Sequence, residues 1–135
     1  MKAKFEKLRG THLSVEEFKI LILSYPIYLV AAADGEFDEA EKELVSTVLT
    51  NFLDSVYGEN ISEEDKTNMV INYLEDFEFL KLNENEFKVP FLESLKSYDQ
   101  EVISSIRDLI HEVAETSNGV AKSEKDMIDY IISFL

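Results

Sequence analysis

Five acidic residues crowd one short stretch of this chain: Asp34, Glu36, Asp38, Glu39 and Glu41 surround Gly35. Clustered carboxylate oxygens are the ligand set of hard cations such as Ca²⁺ or Mg²⁺. Asp38 and Glu41 stand three apart at an expected helix start, so both can face one side. Asp34, in the preceding turn, can point toward them. The spacing is not that of an EF-hand. Counted from Asp34, glycine falls second instead of sixth, and the twelfth position is Val45 instead of a bidentate Glu. The same residues also read without a metal. Asp38 with Glu41 is a capping box, and Gly35 suits a left-handed helix end. At this point a cation site of Asp34, Asp38 and Glu41 and an ordinary helix entry both stand.

A second stretch echoes the first. Tyr28 to Glu41 runs from an apolar helix end through Asp-Gly into an acidic helix start, and Ile110 to Glu124 does the same through Asn-Gly. Aligning Gly35 with Gly119 sets Asn118 opposite Asp34 and offsets the following caps by one residue. Asn118 and Glu124 are therefore the candidate contributors from the second half. Other chemistry is thinly supplied. Asp108 and His111 have the spacing of half a di-iron helix motif, but no second acid-x-x-His is present. There is no Gly-x-Ser-x-Gly elbow, no glycine-rich phosphate loop and no cysteine.

Six helices can position these residues. The first opens at Ser14, with Glu17 completing its capping box, and carries Phe18, Leu21, Ile22, Tyr25, Leu29, Ala32 and Ala33 at helical spacing. Pro26 predicts a kink near residues 22 to 26. Asp38 opens the second, whose apolar stripe runs from Leu44 to Val56, with Gly58 just past its end. Ser62 opens the third, with Met69, Val70, Tyr73, Leu74 and Phe77 facing the core. Asn83 with Glu86 reads as the cap of a fourth, reaching roughly Ser97. Asp99 caps the fifth, with Val102, Ile103, Ile106, Leu109, Ile110 and Val113 inward. Ser123 with Asp126 caps the last. Period-two alternation appears nowhere, so no sheet is expected. The fold class is all-α: a compact bundle of about six to seven helices, built from two pseudo-symmetric halves. Residues 1–13 read as a basic leader, mobile or docked on the protein's own acidic face, and residues 14–135 as a single helical domain.

The segment AAADGEFDEAEKELV resembles the signature of the TerB-like tellurite-resistance family, and AETSNGVAKSEKDMI resembles a weaker second copy. That resemblance implies a compact helical fold in two halves and a link to tellurite resistance and related stress functions. The second copy departs from the family pattern at Asn118, where Asp is usual, and in the acid spacing after Gly119.

Charge bounds the partners. The formal net charge is −15, and Lys2, Lys4, Lys7 and Arg9 outnumber Glu6 at the start, so the acidic excess lies in the remainder. Such a surface repels phosphate backbones and excludes direct nucleic-acid binding, while it suits cations or a basic protein. The basic tract is too short for more than weak contact with an anionic membrane surface. The most apolar stretch, Ile20 to Ala33, is too short to span a bilayer and suits a buried helix. A cytoplasmic location is expected. The leading reading is a non-enzymatic, tellurite-resistance-like stress module whose acidic face binds a divalent cation (Ca²⁺ or Mg²⁺) or a protein partner. It needs no organic cofactor. The alternative is a metal-independent interaction domain that uses a hydrophobic groove between the two halves.

Overall fold

The most apolar stretch becomes the central helix. A computed structural model of the protein describes residues 1–116 and 122–135, and within it α2 spans Val15–Ala31. Thirteen of its seventeen residues are buried, from Phe18 to Ala31, which is the pattern of a helix enclosed on every side. It packs against α3 (Glu39–Tyr57), α4 (Glu63–Leu82), α5 (Glu84–Ser94), α6 (Gln100–Thr116) and α7 (Lys122–Ile132). With α1 (Lys2–Arg9), these make seven α-helices among the described residues, and no strand is found there. Short 3₁₀ turns at Gly58–Asn60 and Leu95–Ser97 complete the order. Among the described residues no helix is long and apolar enough to cross a membrane.

The helix starts follow the side chains that cap them. Ser14 and Glu17 form the reciprocal box at the start of α2, and the Ser62 hydroxyl accepts from Asp65 N–H at the start of α4. Asp99 accepts from Val102 N–H at 3.0 Å to open α6. Pro26 does not break α2, which continues past it to Ala31. Two residues earlier, the Ser24 hydroxyl donates to the Ile20 carbonyl at 2.6 Å, with the Leu21 carbonyl 3.2 Å away.

Several expectations need correction. Asn83 does not cap α5 through its side chain; its amide donates back to the Phe79 carbonyl at 2.9 Å and so closes α4. The two helices are nearly continuous, and the Phe79 carbonyl, which also accepts from Asn83 N–H at 3.1 Å, is within reach at the end of α4. Ser123 lies inside α7, which begins at Lys122. Gly35 does not close α2 directly. The helix ends at Ala31 with Ala32 as its C-cap, a further turn follows, and Gly35 then takes φ 91° while its N–H donates to the Ala32 carbonyl.

The largest difference lies at the start of the chain. Residues 1–13 were expected as a leader outside the domain, yet Lys2–Arg9 is helical and Phe5 is 0% exposed. The basic residues do dock on the acidic body, through Lys4–Glu86 and Arg9–Asp76 pairs. Phe5 within the helix and Leu13 after it both join the core.

Candidate functional site

The acid-rich turn between α2 and α3 is held together by its own backbone. Asp34 accepts from Glu36 N–H at 3.0 Å. Asp38 accepts from Glu41 N–H at 2.8 Å, and Glu41 accepts from Asp38 N–H at 2.9 Å. The capping-box reading of Asp38 and Glu41 is thus realised in full. Glu41 is only 7% exposed. Burial pushes its carboxyl above the ordinary range, the Asp38 N–H pulls it back, and the Asp38 and Asp34 carboxylates push it the same way as burial. These acids therefore feel one another, but each spends an oxygen on a backbone donor.

On the second hairpin, Glu124 is buried in the first turn of α7. Asn118 lies outside the described residues. Among the described residues, no group of three or more His, Asp or Glu is placed to hold a metal ion. The structure accordingly does not gather Asp34, Asp38, Glu41 and Glu124 into one ligand set.

Two other concavities stand out. The first is an apolar groove of about 410 Å³ between α2, α3 and α6. Ile20 and Leu23 line it from α2, Phe52 and Val56 from α3, and Val102 and Ile106 from α6, with Lys19 and Glu101 at its edge. Val56 and Val102 belong to stripes expected to face the core. Instead Val56 is 44% exposed and Val102 half-buried, both on the wall of this trough.

The second is a polar cavity of about 290 Å³ under the loop from α1 to α2, lined by Arg9, His12, Glu17, Asn72, Tyr73 and Asp76 among others. Asp76 is 3% exposed and accepts from Arg9 Nε at 3.0 Å; Arg9 also reaches Glu75 at 3.5 Å. Burial pushes the Asp76 carboxyl up to about 6 against the opposing pull of Arg9. The Tyr73 hydroxyl donates to the Glu17 carbonyl at 2.9 Å, and burial raises its pKa. The sequence marks Arg9 only as one of the basic residues of the leader and does not single out Asp76. A signal for Asp76 was present: it sits three residues after Tyr73, on the face of α4 that buries Val70, Phe77 and Leu80. An acid at a core position requires a partner.

No family model, curated protein or solved structure matches this chain. The reading of its function therefore rests on its own geometry.

Proposed function

We propose that the chain is a non-enzymatic interaction domain that receives the apolar face of a basic partner helix in the groove between α2, α3 and α6. The observation that carries this is the groove itself, open to solvent and lined by six aliphatic or aromatic side chains from two helical hairpins. Helix-in-groove recognition needs such a trough to take anchor side chains spaced along one helix face. The chemistry of the partner follows from charge. The chain carries −15, and the exposed face of α6 includes Glu101, Asp108, Glu112 and Glu115 against Arg107. A basic helix would be steered to this surface and held by its apolar anchors.

The test is titration of the isotope-labelled chain with a synthetic amphipathic Leu/Lys peptide, followed by NMR. Shifts should cluster on the lining residues of α2, α3 and α6. Val56→Asp alters an exposed wall residue, so it should abolish the clustered shifts and leave the fold intact. Binding that ignores Val56→Asp and vanishes in high salt would be charge attraction alone and would sink the groove reading.

A divalent-cation role for Asp34, Asp38 and Glu41, as in a tellurite-resistance-like stress module, is the competing reading. What supports it is the mutual repulsion of these acids around Glu41, which a cation would relieve. Against it stand the backbone donors that already engage all three carboxylates. Thermal shifts with Ca²⁺ or Mg²⁺ decide it, since a ligand of the folded state alone raises stability by mass action. A site would show as a shift lost in Asp34→Asn; equal shifts in both proteins would mean that the ions only screen the net charge.

A further inference from the structure

Helix α1 is attached to the body in an unusual way. Of its eight residues only Phe5 is buried. The ring enters a pocket walled by Phe18 of α2, Phe79 of α4, and Phe87 and Phe91 of α5, with centroids 5.9, 5.5, 5.8 and 5.9 Å away. The pocket walls also hold one another: Phe18–Phe91, Phe79–Phe87 and Phe87–Phe91 are at 5.6, 5.9 and 6.0 Å. The remaining ties of α1 to the helices beneath it are Lys4 lying over the Phe87 ring at 5.5 Å and a few ion pairs. Lys4 pairs with Glu86 at 3.3 Å where both side chains are well exposed, and Arg9 reaches Glu75 and Asp76. Exposed pairs of the first kind add little stability, and an eight-residue helix does not persist by itself in water.

We propose that α1 is a displaceable ligand carried in cis, and that the four-phenylalanine pocket beneath it is a recognition site for a basic helix bearing one phenylalanine anchor. The resident occupant shows the specificity. It offers a single ring at its centre, Lys4 placed against Glu86, and Arg9 placed against Glu75 and Asp76. The anchor selects an aromatic side chain, and the flanking pairs select positive charge and fix the direction of the helix. The wall rings contact one another as well as Phe5, so the framework of the pocket does not rest on α1 alone. The loop Gly10–Leu13 provides the hinge: Gly10 adopts φ 76°, and Glu6 accepts from Leu13 N–H at 2.7 Å across it. This site is separate from the α2–α3–α6 groove, and the proposal does not depend on that reading.

The experiment uses the full chain carrying Phe5→Ala and a synthetic peptide of residues 1–10, MKAKFEKLRG. The peptide should bind this variant and shift the resonances of Phe18, Phe79, Phe87 and Phe91. Wild type should bind it at least about tenfold more weakly, because the resident helix leaves only a fraction of the pocket free. A peptide with alanine at the phenylalanine position should not bind. No binding to a Phe5→Ala chain that keeps its helical circular dichroism would overturn the proposal. Hydrogen exchange on the wild-type chain gives a second answer that does not need the variant to fold. Backbone amides of α1 should exchange at least about tenfold faster than those of Ile22 to Val30 in α2, through local opening. Exchange of both helices at one common rate would show that α1 leaves only when the whole domain unfolds, and would equally overturn it.

Discussion

Glu41 and Asp76 are both buried carboxylates, and burial pushes both above the ordinary carboxylate range. They are satisfied in opposite ways. Glu41 takes its hydrogen bond from the backbone three residues away, a partner that exists whenever α3 forms. Asp76 takes its from Arg9, sixty-seven residues away, a partner that exists only when α1 is docked. The first acid is a local device that starts a helix. The second ties a peripheral helix to the core. Local partners keep a buried charge tolerable under all conditions in which the helix persists, whereas a distant partner makes it conditional on tertiary structure.

Removing the distant partner should therefore have the largest effect. Arg9→Ala leaves Asp76 buried and unpaired and should cost about 3 kcal/mol at neutral pH. Asp76→Asn should cost little or nothing at neutral pH, because asparagine carries no charge for burial to disfavour and still offers an oxygen to Arg9, which keeps Glu75 at 3.5 Å. Urea denaturation of the two variants checks the asymmetry; equal costs would mean that the carboxylate is not desolvated as its burial implies. The pH dependence has a definite sign. The Asp76 carboxyl is pushed up to about 6 in the folded chain, against about 3.9 for an unfolded one. The folded state thus binds the extra proton between those values. The contribution of Asp76 is therefore fully present below about pH 4 and is lost as pH rises through about 6. The same melts repeated across that window should show the difference between Asp76→Asn and wild type moving in favour of the variant as pH rises.

This contrast also explains what was legible in the sequence. The capping boxes at Ser14 and Asp38 and the cap at Ser62 were readable because donor and acceptor lie within one turn. The core stripe of α2 was readable because its apolar residues are continuous. The integration of residues 1–13 was not, since a single Phe5 among lysines carries no periodic signal. Its pocket is assembled from α2, α4 and α5, which meet only in three dimensions. The groove was legible only as an idea, a trough between two halves. Which stripe residues line it depends on how α2, α3 and α6 sit together, and a stripe cannot tell a core position from a groove wall. Asn83 misled for a related reason: a side chain able to cap the following helix found an acceptor in the preceding one.

The local device should respond more mildly. Asp38→Ala removes the acceptor for Glu41 N–H and should cost about 1 kcal/mol, the usual value of an N-cap. Its effect should be confined to the first turn of α3, visible as faster hydrogen exchange there with α1 unchanged. Loss of protection in α1 as well would show that the two buried acids are energetically linked, and the comparison would fail.

The smallest expected effect belongs to Glu41→Gln. Glutamine keeps the oxygen that accepts from Asp38 N–H, so the box survives. What disappears is a charge that burial disfavours and that Asp38 and Asp34 repel. Because the folded carboxyl is raised, the wild-type group contributes stability at low pH that is lost as pH rises through its folded value. Glutamine carries no such penalty. Glu41→Gln should therefore lie within about 0.5 kcal/mol of wild type, on the stabilising side at neutral pH, since a neutral isostere relieves the repulsion without opening a cavity. The advantage should shrink toward zero in acid, where wild-type Glu41 is itself protonated. Chemical denaturation at neutral and acidic pH measures both. A loss greater than about 1 kcal/mol at neutral pH would reverse the argument, because it would mean that the Glu41 charge is held by something other than the capping box. In that case a Ca²⁺-dependent difference between the two proteins would identify the acid-rich turn as a cation site after all.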